Sequence, residues 1–220
     1  SQQAIQWHPT LDNVDIMLEA WDNKDRWLVS VDVPNARLVP EHRLHDDAWV
    51  NYKFNSFGWL NQSNTLFYLS EQTGYSHLYI KPAGKPAKAL TSGEFEVNNL
   101  TLTRDDSRIY FSANIEHPGI YEVYSVDLSS ANINTHTQLN GMTDYSLSPY
   151  EQSLLLTHSQ LTQPPELYYQ HIDAEQALKL TDTRSSSFKA IEWIRPDIIG
   201  IPSTTAFIQP YLTLTGLLFD

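Results

Sequence analysis

The residues able to do acid–base or metal chemistry are few and scattered. The chain has 26 acidic residues and eight histidines but no cysteine. Disulfides, thiolate zinc sites and a cysteine nucleophile are thereby excluded. His77 could shuttle a proton or bind a metal, but no second histidine or carboxylate lies at ligand spacing, so it reads as a strand histidine closing hydrogen bonds inside its own repeat. His42 and His45 form an H-x-x-H pair beside Asp46 and Asp47, a conceivable metal site whose plainer reading is a solvated loop. Glu94 and Glu96 flank Phe95; on a strand they would point the same way, about 6.6 Å apart, a spacing that could serve a glycosidase pair but that also fits any exposed strand. Glu71 opens a turn ending at Gly74, and a turn role is its default. A serine hydrolase needs Gly-x-Ser-x-Gly to expose its nucleophile at a strained turn, and the eight glycines provide none. No residue is assigned a catalytic, cofactor-binding or metal-binding role.

The elements that would position these residues repeat. Phe67-Tyr68-Leu69-Ser70, Leu78-Tyr79-Ile80 and Leu90-Thr91 make one unit. Ile109-Tyr110-Phe111-Ser112, Val123-Tyr124-Ser125-Val126 and Leu139 make a second. Leu154-Leu155-Leu156-Thr157, Leu167-Tyr168-Tyr169 and Leu180-Thr181 make a third. A period of about 40–50 residues built from short strands indicates propeller blades of four strands each. The last position drifts, because Leu139 falls out of step. Asn61-Gln62-Ser63-Asn64, Arg104-Asp105-Asp106-Ser107 and Ser148-Pro149-Tyr150-Glu151 supply turn chemistry just before a strand of each unit. An earlier unit is expected from Ile16-Met17-Leu18 and Trp27-Leu28-Val29-Ser30-Val31, with an insertion through His42–Asp47. A last strand pair is expected at Ile191–Ile194 and Asp197–Ile201. Helical periodicity is absent, and Ala174–Leu178 fits a hairpin loop. Tyr75, Tyr79, Tyr110, Tyr124 and Tyr168 recur at the repeat period, which calls for packing between blades rather than a ligand tunnel. The fold class is all-β, a partial propeller of about four to five four-stranded antiparallel blades.

Composition agrees. Tyr, Trp and Phe make up 12% of the 220 residues and charged residues only 18%, a bias toward pleated, half-buried strands. The net charge of −12 repels phosphate backbones and argues against nucleic-acid binding. It would suit a cationic ligand such as a peptide's free amino terminus. No stretch approaches the ~18 apolar residues of a membrane span. Ser1-Gln2-Gln3 reads as an internal or processed start.

The residues from Ser70 onward carry a family resemblance. Ser70-Glu71-Gln72-Thr73-Gly74-Tyr75-Ser76-His77-Leu78-Tyr79 resembles the SE-x-x-GY-x-HLY signature of the dipeptidyl peptidase IV propeller, in the prolyl oligopeptidase family. Leu90-Thr91-Ser92-Gly93-Glu94-Phe95-Glu96-Val97 is similar to its LTSG-x-W-x-V segment, with Phe95 for the usual Trp. Ile109-Tyr110-Phe111-Ser112-Ala113-Asn114 resembles the YFTAN strand, Tyr145–Pro149 the SLSP turn and Pro164-Pro165-Glu166-Leu167 the strand after it. Trp49-Val50 fits the start of the preceding unit.

The resemblance implies the second half of an eight-bladed propeller, residues 1–205, followed by a tail, 206–220, leading toward an α/β-hydrolase domain with a Ser-Asp-His triad that these residues do not contain. The paired-glutamate segment that binds the substrate's amino terminus in the family is likewise not among them. The implied function is to gate and orient peptide substrates for that domain, with the hydrolase domain of the same chain and a peptide as partners. No cofactor is implied; composition leaves the compartment open, and the resemblance suggests a periplasmic or otherwise exported location. Self-association is expected of an open arc. A free-standing propeller acting as a binding module or scaffold is the alternative.

Overall fold

The computed structural model describes residues 4–194, 197–202 and 213–218. Its first strands are β1 (Ile5–Trp7), β2 (Asn13–Glu19), β3 (Asp25–Asp32) and β4 (Arg37–His45), followed by β5 (Phe57–Trp59), β6 (Thr65–Ser70), β7 (His77–Pro82) and β8 (Lys88–Ala89). These eight form two four-stranded antiparallel sheets, each in sequence order. Next come β9 (Val97–Leu102), β10 (Arg108–His117), β11 (Ile120–Asp127) and β12 (Ile133–Thr135), then β13 (Met142–Leu147), β14 (Ser153–Gln160), β15 (Gln163–His171) and β16 (Leu178–Lys179). Both sets again run in sequence order, and a single parallel pair, Tyr121 with Met142, joins β11 to β13. The strands are short because turn residues recur every few positions. Asp106 and Glu151 take positive φ in the turns before β10 and β14, and Asn23 does so before β3. All three turn segments singled out in the sequence lie between the first and second strands of a sheet.

The chain forms two compact units, Ser1–Ala113 with Tyr124–Asn134, and Asn114–Val123 with Thr135–Asp220. The core of the first contains Leu28, Phe57, Leu66, Tyr68 and Tyr79. Strand β6 is buried along its whole length, so its pattern is continuous rather than alternating. In the second unit β14 and β15 alternate between buried and exposed positions. Leu154, Leu156 and Tyr168 face inward, while Leu155, Leu167 and Tyr169 are exposed.

Three sequence expectations need correction. His42–His45 is not an insertion but the end of strand β4. Leu28 pairs with His42 and Val29 with Pro40, which leaves Glu41 in a bulge. Pro40 has no N–H to give a ladder, and a bulge is where a strand tolerates that. The pair expected at Ile191–Ile194 and Asp197–Ile201 does not form. Asp197–Pro202 (β17) pairs instead with Thr213–Leu218 (β18). Upstream, Ser185 caps a one-turn helix, α1 (Ser186–Lys189). Trp193 folds back so that its indole N–H donates to the Phe188 carbonyl and its ring lies 4.7 Å from the Phe188 ring, which takes Ile191–Ile194 out of strand geometry.

The third correction resolves the drift at Leu139. Leu90 donates its N–H to Leu78 O, and Leu180 donates to Leu167 O. The matching donor to Val123 O is His136. Counted from His136 the outer-strand spacings become 46 and 44 residues (136−90 and 180−136). The exit path expected through Ser203, Thr204 and Ile208–Leu212, and the boundary at 205/206, lie outside the described residues.

Candidate functional site

One strand position does the same job in each of the four sets β1–β4, β5–β8, β9–β12 and β13–β16. It lies near the start of the third strand and pairs at or near the end of the second: Arg26 opposite Glu19, His77 opposite Ser70 and Glu166 opposite His158. Glu122 on β11 behaves alike. Each reaches the segment that leaves the outer strand. Arg26 Nη1 donates to Asn51 O (3.0 Å), and His77 Nε2 lies 3.0 Å from Gly93 O. Glu122 accepts from Asn140 N–H (2.6 Å) and Glu166 from Thr183 N–H (2.7 Å).

In three sheets a threonine completes the clasp. Thr91, Thr137 and Thr181 accept the N–H of Leu78, Val123 and Leu167, at 3.0, 2.9 and 2.9 Å. Gly93 O can only accept, so His77 Nε2 carries the proton and Nδ1 accepts from the Thr91 hydroxyl at 3.1 Å. Burial holds the His77 pKa below the usual histidine value. A neutral, doubly satisfied ring is therefore the ordinary state of His77.

Next to the Arg26 and His77 clasps, loops of the first unit are tied to one another as a rim. Asp46 donates its N–H to Lys24 O and Val50 to Asn23 O. Asn51 donates to Glu71 Oε2 (3.1 Å), and Val97 to Ser76 O. Asp46 Oδ1 accepts from Ala48 and Trp49 N–H (2.7 and 3.1 Å), which fixes the turn that carries Trp49. The rim exposes Trp21 (102%), Trp49 (56%), Tyr52 (68%) and Tyr75 (40%). Asp22, Asp46, Asp47 and Glu94 are exposed beside them, as are Lys53 and, at the end of β4, Arg43 in its pair with Asp25. Beneath the rim Arg26 is 3% exposed. Burial raises the Glu71 pKa, opposed by the hydrogen bond from Asn51 and the charge of Arg26. Aromatic rings on a tied-down acidic rim can hold an extended, positively charged chain end by stacking and Coulomb attraction.

Further inside the same unit, Ser30 Oγ lies 2.5 Å from Asp15 Oδ1 and 3.0 Å from Glu41 Oε1, and Lys81 pairs with Glu41 Oε2. His42 shares a hydrogen bond with Ser70 Oγ (2.9 Å) and lies 4.7 Å from the Tyr68 ring. Burial, then the charges of Arg26 and Lys81, push the His42 pKa down to about 4.

The H-x-x-H pair is thus divided. His42 turns inward, whereas His45 lies outside against Asp25 (3.0 Å) and Asp47 (3.3 Å). Among the described residues no group of three histidine or acidic side chains could hold a metal ion. Glu94 and Glu96 lie in a loop, not on a strand, because the turn through Ser92–Phe95 precedes β9. Phe95 is buried edge-on to His77 at 5.1 Å. Tyr79, Tyr110, Tyr124 and Tyr168 are buried, and Tyr75 alone of that series is exposed. Tyr79 stacks with Tyr68 at 5.7 Å and Tyr124 with Phe111 at 5.9 Å.

Sequence reasoning passed over Asp15, Arg26, Lys81 and Trp21, and gave Trp49 only a place in the repeat. A charge between the apolar residues of Val14-Asp15-Ile16 was the available sign for the first. A tryptophan in the Trp21-Asp22-Asn23 turn was the sign for the rim.

Among the described residues no helix is long and apolar enough to cross a membrane. No curated protein matches the chain in sequence. The fold matches the crystal structure of Porphyromonas gingivalis dipeptidyl peptidase 4 with a TM-score of 0.75 at 16% identity, over 95% of this chain and 29% of that one. The chain thus spans less than a third of that protein's length. The family described as the dipeptidyl peptidase IV (DPP IV) N-terminal region matches residues 3–165. With four-stranded antiparallel sheets and almost no helix among the described residues, the chain belongs to that family and has the all-β fold of a partial β-propeller.

Proposed function

We propose that this segment is a non-catalytic wall of a dipeptidyl peptidase, which admits peptides and orients them for an α/β-hydrolase domain of the same chain. The observation that carries this reading is the rim of the first unit. Four exposed aromatic side chains stand among exposed carboxylates on loops tied to one another by backbone hydrogen bonds. Tied loops lose little entropy when a ligand arrives, so binding is spent on orientation. The acidic rim attracts a free amino terminus, and the rings stack on an extended backbone. No acid–base step is asked of these residues. The segment assists catalysis by holding the substrate, and the bond cleavage belongs to the hydrolase domain.

The test is made in the intact peptidase chain that carries this segment. Trp21→Ala and Trp49→Ala raise KM for a dipeptidyl chromogenic amide, each by about tenfold, the scale of a buried aromatic contact, with kcat nearly unchanged. Unchanged KM in both variants, with wild-type folding, would remove the rim from substrate handling.

A further inference from the structure

The seam between the first and second sheets holds more negative charge than its one lysine can balance. Asp15 on β2 is fully buried, Ser30 on β3 is 7% exposed, Glu41 sits in the β4 bulge, and Lys81 comes from β7. Ser30 Oγ is within hydrogen-bond distance of both carboxyls, 2.5 Å from Asp15 and 3.0 Å from Glu41. A hydroxyl has one hydrogen and can donate to only one of them. The other contact is a hydrogen bond only if that carboxyl carries a proton of its own and donates it to the hydroxyl oxygen. Glu41 is the carboxyl that pairs with the Lys81 ammonium. Asp15 Oδ2, in contrast, has no hydrogen-bond partner among the described residues, and an ionised carboxylate there would leave a buried charge unsatisfied.

We propose that Asp15 and Ser30 form a buried proton-binding site, in which Asp15 holds a proton at neutral pH and donates it to Ser30, Ser30 donates to Glu41, and Glu41 is balanced by Lys81. With that proton in place the seam is neutral, one carboxylate against one ammonium. Without it, two carboxylates share one lysine, and the Asp15 charge is fully buried. The other titratable groups on these elements are His8 after β1, Arg26 on β3, whose charge faces Glu71 and Glu19 rather than Asp15, His42 on β4, Tyr68 on β6 and Tyr79 on β7. His42 is neutral, and burial pushes Tyr68 up to about 12, so it is neutral too. The indole N–H of Trp59 favours the ionised form of Asp15, although it makes no well-formed hydrogen bond to Asp15 Oδ2. Burial is the leading cause of an Asp15 pKa of about 7, with Glu41 adding to it and Ser30, Lys81 and Trp59 opposing it.

A carboxyl raised in the folded state favours folding fully below its unfolded pKa and loses that contribution as pH rises through the folded one. The window for Asp15 runs from about 4 to about 7. Asp15→Asn mimics the protonated form at every pH. The expected result is a Tm difference, variant minus wild type, that grows from pH 4 to pH 8. In wild-type protein carrying 13C-labelled aspartate, one carboxyl carbon titrates near pH 7, and that signal is missing from Asp15→Asn. Parallel Tm curves, or a spectrum in which every aspartate carboxyl has ionised by pH 5, would overturn the proposal. The labelled wild-type spectrum decides the matter even if the variant does not fold.

Discussion

Asp15 and His42 lie in one seam but titrate in opposite senses. His42 has a folded pKa of about 4 against an ordinary value of 6.5. The unfolded chain takes up its proton first as pH falls, so this histidine's contribution is present above about 6.5 and lost toward pH 4. His42→Gln is therefore expected to gain on wild type below pH 6 and to lose that advantage by pH 7.5, as read by thermal unfolding at both ends. Equal gaps at the two ends would show that the ring is not held neutral. Because Asp15 runs the other way, wild-type stability changes little across this window on account of these two groups, and only the single variants reveal them. Neither role was legible in the sequence. Asp15, Ser30, Glu41 and Lys81 lie on four different strands, and the bulge that turns Glu41 toward Ser30 is a matter of strand register. His77 was legible, because a histidine at the head of a repeating strand must satisfy both ring nitrogens inside that repeat.

Strands and turns were the most readable level. Alternation and continuous apolar runs placed β6, β10, β14 and their partners, and Asn, Asp, Ser and Pro marked the turns before them. The clasp was hidden because Arg26, His77, Glu122 and Glu166 share a position without sharing a chemical type. The one-turn helix was missed because Ser185 capping Phe188 N–H is its only local cue. Thr137 is 2% exposed and serves both Val123 N–H and Glu122. Its replacement by Val leaves a buried N–H unpaired and costs ~1–3 kcal/mol in denaturant unfolding. Thr181→Val, at a less buried site, is expected to cost less. A larger loss at Thr181 would mean that the clasps are not equivalent. Gly141 makes a second test at this scale. A Cβ there would meet the Ser159 carbonyl oxygen at 2.3 Å and the His158 ring at 2.7 Å. Gly141→Ala is expected to lower stability by ~1–3 kcal/mol, the range of an overpacked core.

For the molecule as a whole, the repeat period pointed to propeller blades, and both the family match over residues 3–165 and the fold match at a TM-score of 0.75 agree. The rim could not be read the same way, because loop residues carry no period and Trp21 and Trp49 are brought together by hydrogen bonds between separate loops. The chain by itself is expected to leave an alanyl-prolyl chromogenic amide uncleaved, and turnover blocked by a serine-directed inhibitor would place a nucleophile where none has been found. The measurement that reaches the central claim most directly is an NMR titration of the 15N-labelled tryptophan indoles with an alanyl-prolyl peptide, free or acetylated at its amino terminus. The account predicts that the Trp21 and Trp49 indole signals shift with the free peptide and much less with the acetylated one, while Trp59, inside the seam, stays still. Indoles that do not respond to the free peptide, or that respond equally to both, would contradict a role for this rim in receiving a peptide's amino terminus.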